Sequence, residues 1–406
     1  MTRDLAQRIA VTLGALLIYR LGQYIPLPGI DLDAWAMLSR SQGGGVAGAL
    51  GTFSGGARRM AICALGIVPY ISAAVLVQLA AMVSHRVRAI ARDGERGRRR
   101  MVRYARYLAL LLTAFQAWGV AGGLAQVGGV VANPGPLFVV STVITLTGGT
   151  MFLVWLADQI TVRGVGNGIA LILLTGIVTQ VPEAIAYTLE LGRQRTLSPR
   201  QIAVLLFIVV AVTALVAAME LARRSVLVRY PARQLGSRQL DERLSDLALK
   251  LNPAGIVPVL LASFLLAILV GIGGFVAGFE SDFVAQLRPG RTTFVIVYGV
   301  LIVFCTFLYA ASVLDPEEAA EQLGRFGGVV PAVARGEATA AYLDHVVSRI
   351  VVVGAVYLAL VCLLPEILIR AAPVPFYFGG VGILVVVCTI IDVEHQVRSG
   401  LRSRRG

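Results

Sequence analysis

The amino-acid sequence predicts an all-α membrane protein of ten transmembrane helices, and three observations predict it. Hydrophobic residues make up 57% of the 406-residue chain and charged residues 15%, with a mean hydropathy of +0.79. A soluble fold carries about 25% charged residues. The apolar residues come in long runs instead of amphipathic stripes. Residues 204–219, VLLFIVVAVTALVAAM, hold no charge and no polar face; such a helix belongs in lipid or in the middle of a bundle. Finally, the basic residues sort by side. With the N-terminus taken as cytoplasmic, 26 of the 36 fall on the cytoplasmic side and 10 on the other, as the positive-inside rule requires.

The ten apolar segments are residues 5–21, 60–84, 104–124, 137–159, 167–189, 201–221, 253–274, 292–314, 346–369 and 376–391. Each is near the roughly 20 residues that a bilayer crossing needs. The first reads as a permanent span: residues 1–8 are short and mixed in charge, and the run leads into YRLGQYIPLPGI, not a small-residue cleavage site. Between the first two segments lies GGGVAGALGTFSGGA, residues 43–57, too small and polar to cross. It reads as a flexible loop or as a short helix folded back into the membrane, which is tolerated where it is buried in protein or lines a cavity. Pro69 is expected to bend the second helix. Asn252 and Pro253 suit an N-cap and a first helical turn, and so start the seventh. An even number of crossings puts both termini in the cytoplasm.

The chemistry that is absent narrows the function. The single lysine, Lys250, is followed by Leu251, so there is no phosphate-loop lysine. GVGNG at 164–168 follows a membrane segment, not a strand, which argues against nucleotide binding. His85, His345 and His395 are far apart and lack metal-ligand spacing. Cys63, Cys305, Cys362 and Cys388 sit singly in apolar runs and read as buried, inert thiols. Asp158, Glu220, Arg349 and Asp392 lie near segment ends, and no ionisable group falls at a centre. Ion-coupled carriers place such groups near the midplane, so a solute transporter is the weaker reading. An apolar constriction can still gate a pore.

Several segments resemble the SecY family, in family order along essentially the whole chain. They are YRLGQYIPLPGID (19–31), FSGGA (53–57) with ALGIVPYISA (64–73), and DGERGRRRMVRYARY (93–107). RGVGNGIALI (163–172), LNPAGIVPV (251–259), FGGVVP (326–331), LPEIL (364–368) and VPFYFGG (374–380) follow.

The resemblance implies two five-helix halves, residues 1–190 and 191–406, related as inverted pseudo-symmetric repeats around a central pore. Cytoplasmic loops would span 222–252 and 315–345. The implied activity is that of the central subunit of a protein-conducting channel in the cytoplasmic membrane. It would pass unfolded polypeptides and release apolar segments sideways into lipid, with no catalytic residue and no cofactor. An aliphatic pore ring would come from Ile67, Ile71, Ile169, Leu173, Leu260 and Val385. The spacings Ile67/Ile71 and Ile169/Leu173 put each pair on one helix face. Residues 43–57 would be the plug, with Gly48, Ala49, Leu50, Gly51, Thr52 and Phe53 at its heart. The lateral gate would set helices two and three against seven and eight, with Ser72 and Gln116 as polar contacts. Arg96, Arg98, Arg99, Arg100, Arg233, Arg238 and Arg335 would dock cytoplasmic partners, beside a topological and lipid-binding role worth about 1 kcal/mol per arginine. The implied partners are SecE, SecG, the SecA motor, the ribosome, the unfolded substrate and membrane lipid. One motif departs: residues 332–336 read AVARG where the family has Gly-Ile-Arg-Pro-Gly. That departure supports an alternative, an accessory member of the family serving few substrates.

Overall fold

The computed structural model describes residues 3–35, 60–91, 93–126, 129–194, 197–230, 233–235, 238–240, 243–277, 286–287, 291–313, 316–325, 328–331, 333–334, 336–371 and 379–402. All ten apolar segments carry helix. In chain order the helices are α1 (Arg3–Gly22), α2 (Val68–Val83), α3 (His85–Ala91), α4 (Gly94–Gln126), α5 (Pro136–Arg163), α6 (Gly168–Val178) and α7 (Val181–Arg193). Then come α8 (Pro199–Leu221), α9 (Val257–Ala277), α10 (Thr292–Val313), α11 (Pro316–Arg325), α12 (Glu337–Ala371) and α13 (Gly380–Arg402). Among the described residues, seven helices are long and apolar enough to span a bilayer, and the bent pair α2–α3 makes up to eight. The other two segments are the shorter apolar helices α6 and the start of α9.

Local chemistry explains several departures from the sequence reading. Pro69 does not bend the second helix: it sits in the first turn of α2, where its missing N–H costs nothing. Residues 60–67 ahead of it form turns, and the bend of 113° comes at the other end, between α2 and α3. The fifth segment is two helices, since Pro182 opens α7 just after α6 ends. The arginine-rich run before the third segment is part of the helix: α4 begins at Gly94 and runs 33 residues.

The chain forms two compact units, one of residues 1–202 with 374–406, the other of residues 203–373. In the first unit α4 packs against α2 and α5, and α5 against α1 and α6, while α13 packs against α6. Backbones approach closely at glycines. A Cβ at Gly149 of α5 would lie 2.2 Å from the Ile62 carbonyl oxygen, and one at Gly168 of α6 would lie 2.0 Å from that of Ala157. Small residues at helix contacts are the usual means of packing within lipid, where there is no hydrophobic drive between helices. The segment after α1 is stapled by backbone bonds. Leu27 donates to the Met60 carbonyl at 2.8 Å, Ile62 to that of Ile25 at 2.9 Å, and Asp31 to that of Val130 at 2.9 Å. Leu27, Trp35, Met60, Leu65, Val130, Phe138 and Leu146 are buried together beneath these staples.

In the second unit α10 packs against α9 and α12, and α11 against α12. Between α8 and α9, where the sequence predicts a cytoplasmic loop, runs an antiparallel β-ribbon: β1 (Arg223–Tyr230) pairs with β4 (Arg243–Lys250), and β2 (Arg233–Leu235) with β3 (Arg238–Leu240). Its pattern has period two: Val226 and Val228 are buried, while Leu227 between them is exposed. Val226 packs with Val330, Val346 and Ile350, joined by Leu247 and Leu249. Arg229 and Val329 exchange both backbone bonds at 2.8 Å. The ribbon is therefore fixed to α12 at Val346 and Ile350 and to residues 329–330.

Candidate functional site

The best-defined part of the site is the turn between α5 and α6, which sets the position of Ile169 and Leu173. Gly166 stands at φ +88°, a conformation that favours glycine. The turn's backbone donors are nearly all used within the protein. Gly164 donates to the Ile160 carbonyl at 2.8 Å, and Val165 to Thr12 Oγ1 on α1 at 3.0 Å. Gly166 donates to Gln396 Oε1 on α13 at 2.8 Å, Gly168 to Thr161 Oγ1 at 2.9 Å, and Ile169 to Asn167 Oδ1 at 3.0 Å. Asn167 is the N-cap of α6. A phosphate loop needs such N–H groups free, so GVGNG is a helix junction here.

Two contacts define how α6 and α13 lie. Gln396 meets the turn before α6, and a Cβ on Gly382 would lie 3.8 Å from Ile177 near the other end. The two helices are therefore antiparallel. Val385 is three residues beyond Gly382 and Leu173 four residues before Ile177, displacements of about 4.5 and 6 Å along the axes. Val385 and Leu173 thus stand at neighbouring levels, 2% and 5% exposed.

Ile67 and Ile71 belong to the start of α2: Ile67 is its N-cap, and Ile71 donates to the Ile67 carbonyl at 3.2 Å. Ile67 is buried, whereas Ile71 and Ile169 are half-buried. These five aliphatic residues lie in the first compact unit. Leu260, half-buried near the start of α9, lies in the second. Ser72 is buried on α2, and Gln116 is half-buried on α4, the helix packed against it.

Residues 43–57, with Gly48, Ala49, Leu50, Gly51, Thr52 and Phe53, lie outside the described residues, as does Arg335. The other arginines are on two elements. Arg96, Arg98, Arg99 and Arg100 are exposed on the first turns of α4, and Arg103 one turn on is exposed too. Arg96, Arg99 or Arg100, and Arg103 follow the spacing of one helix face. Arg99 pairs with Glu95 at 3.3 Å, and Arg106 with Asp158 of α5 at 2.6 Å. The second pair ties α4 to α5. Arg233 is opposite Leu240, and Arg238 opposite Leu235, in the inner part of the ribbon.

The sequence reading missed three features. Glu366 is 5% exposed on α12, one residue after Pro365 inside the helix; it is a carboxyl group within a span, where such groups are rare. Ser263 and Tyr298 join α9 to α10 through their hydroxyls at 3.0 Å. Asn252 does not cap α9, which starts at Val257. Its Oδ1 accepts from Gly255, and its Nδ2 donates to Glu220 Oε1 at 2.7 Å. A polar residue spaced for a helix start carried no sign of that long-range partner.

Known proteins resemble this chain over nearly its full length. The family model described as SecY matches residues 61–393. The protein translocase subunit SecY of Escherichia coli (strain K12) is 40% identical over 98% of this chain and 92% of its own length. A solved structure described as "The structure of a protein conducting channel" superposes with a TM-score of 0.71 at 17% identity, covering 98% of this chain and 93% of that one. Sec61 in the canine ribosome-channel complex from the endoplasmic reticulum gives a TM-score of 0.66 at 16% identity, with the same coverages of 98% and 93%. The structures carry the fold, and the sequence matches carry the descent: this chain belongs to the SecY family.

Proposed function

We propose that this protein is the pore-forming subunit of a channel that moves unfolded polypeptides across the cytoplasmic membrane and releases apolar segments into it. The observation that carries this reading is the 40% identity to a protein translocase subunit over 98% of the chain. The candidate ring suits the task. Ile67, Ile71, Ile169, Leu173, Leu260 and Val385 are all aliphatic and offer no hydrogen bond to ions or water. Such a ring closes around an extended chain of any sequence without holding it tightly, and excludes water by dewetting when empty. Residues 43–57 would stopper the ring from outside, and α2 and α4 would face α9 and α10 across the lateral gate. Ser72 and Gln116 are the polar groups of that gate. Residues 1–190 and 191–406 are the inverted halves, a division by symmetry that differs in kind from the two compact units.

The basic excess of 26 to 10 supports a cytoplasmic location for both termini and for the two arginine-bearing elements. There the start of α4 and the ribbon would meet phosphate-rich or acidic partners: the ribosome, the SecA motor and anionic lipid. SecE and SecG would complete the channel. The energy would come from motor or ribosome, not from a reaction on this chain.

Expression in a bacterium depleted of its own SecY tests the reading. Restored growth and restored export of several unrelated secreted proteins are expected. The altered AVARG motif at 332–336 favours a second reading, an accessory channel for a restricted cargo set. Good membrane accumulation with export of only one or few proteins would decide for it.

A further inference from the structure

We infer that Glu220 and Asn252 are positioning residues that set how readily α9 leaves its resting place, and hence how strictly the channel selects its cargo. The inference rests on the channel reading, in which α9 is a gate helix. Its basis is a polar knot at the entry to α9, within one compact unit. Asn252 is 3% exposed. Its Nδ2 donates to Glu220 Oε1 at 2.7 Å and to the Gly255 carbonyl at 3.3 Å, while its Oδ1 accepts from the Gly255 N–H at 3.1 Å. Tyr357 of α12 donates to the same Glu220 oxygen at 3.5 Å. Leu251 donates to the Ala222 carbonyl at 3.1 Å, which closes the base of the ribbon between the two residues. Gly354, one turn before Tyr357, faces the same turn: a Cβ there would lie 3.4 Å from the Leu251 oxygen, an ordinary packing distance. The end of α8, the entry to α9 and α12 thus meet at one carboxylate.

A half-buried carboxylate is a costly way to join three elements. Apolar groups of similar volume often hold as well or better, and what the polar group adds is direction. Among the described side chains of α9, Val259, Leu261, Ala262 and Leu266 are buried apolar groups whose contacts are non-directional, and Ser263 bonds to Tyr298. Sliding or tilting α9 therefore meets its sharpest resistance at its polar ties. The knot is also where the arginine-bearing ribbon ends and α9 begins, so a partner seated on the ribbon pulls on the same joint.

The test uses the full chain in the SecY-depleted host, with two secreted reporters, one with an intact leader and one whose leader has a broken apolar core. Glu220→Ala and Asn252→Ala should each raise export of the defective reporter relative to the intact one by about threefold or more, the scale on which losing one hydrogen bond shifts an equilibrium. The double alanine variant should rise no further than the larger single, because both remove one interaction. Glu220→Gln keeps the acceptor oxygen and should stay near the parent. A second pair guards against alanine variants that do not accumulate. Asn252→Asp sets carboxylate against carboxylate and should relax selection, and adding Glu220→Gln should restore it. Unchanged ratios at parental membrane levels, additive alanine effects, or an exchange pair no closer to the parent than Asn252→Asp alone would overturn the inference. The intact reporter is one that the parent chain exports; a parent chain that exports no secreted protein would instead remove the channel reading, and the inference with it.

Discussion

At Gly168 and Thr12 the fold depends on single atoms. A Cβ on residue 168 would enter the Ala157 carbonyl of a packed helix, 2.0 Å away, where no flexible side chain can give way. Gly168→Ala should therefore cost about 1–3 kcal/mol, the usual price of overpacking, and lower the unfolding temperature in detergent. Thr12→Val keeps the shape but leaves the buried Val165 N–H without its acceptor. That costs about 1–3 kcal/mol, and its effect on unfolding temperature should be of the same order. The ring residues make a different prediction. Ile71→Gly or Ile169→Gly removes aliphatic volume from half-buried positions, at about 1 kcal/mol of helix stability each. If these side chains seal a pore, ion conductance of reconstituted vesicles should rise severalfold over the parent while the chain stays folded. Conductance at the parental level, with partner subunits present, would remove these residues from the ring.

Among the elements, the ribbon shows where physical patterning overrides charge. Residues 223–250 carry seven basic side chains, and that density hid a short strand pattern, Val226 and Val228 in, Leu227 out. What makes the strands stable is outside their own sequence: Val330, Val346 and Ile350 supply the apolar floor. Val226→Asp should detach the ribbon, a loss on the order of 2–4 kcal/mol. Trypsin should then cut within residues 231–243 much faster than in the parent, while Leu227→Asp, on the exposed face, should cut at the parental rate. The helices were legible for the opposite reason: a run of apolar residues long enough to cross lipid needs no partner to be recognised. Their ends were less so. Arginines placed α4's first three turns in a loop by composition, although nothing in arginine opposes a helix. Pro69 and Pro182 were harder to assign, because proline marks a helix start as readily as a bend.

For the whole molecule, family membership is established by descent, and two consequences remain to be measured. The first is topology. A basic excess of 26 to 10 predicts that reporters fused after residue 402 and within residues 231–242 are active only when they report cytoplasmic location; either one reading as exported would break the orientation. The site was legible only in part. The aliphatic residues of α2, α6, α9 and α13 came from family motifs, since an isoleucine in a membrane helix carries no local mark of its role. The Glu220–Asn252 knot was hidden because it joins residues distant in sequence, and Glu366 because nothing in its own segment marks how deeply the fold buries it.

The second consequence is the passage of cargo itself. A photo-reactive residue placed in turn at Ile71, Ile169, Leu260 and Val385 would be challenged with a secretory chain stalled part-way through the membrane. Ile144 and Phe207, both exposed on apolar helices, would serve as controls. The channel account predicts adducts to the stalled chain from the four ring positions and none above background from the controls. Adducts absent from the ring, or equally strong at Ile144 and Phe207, would contradict it.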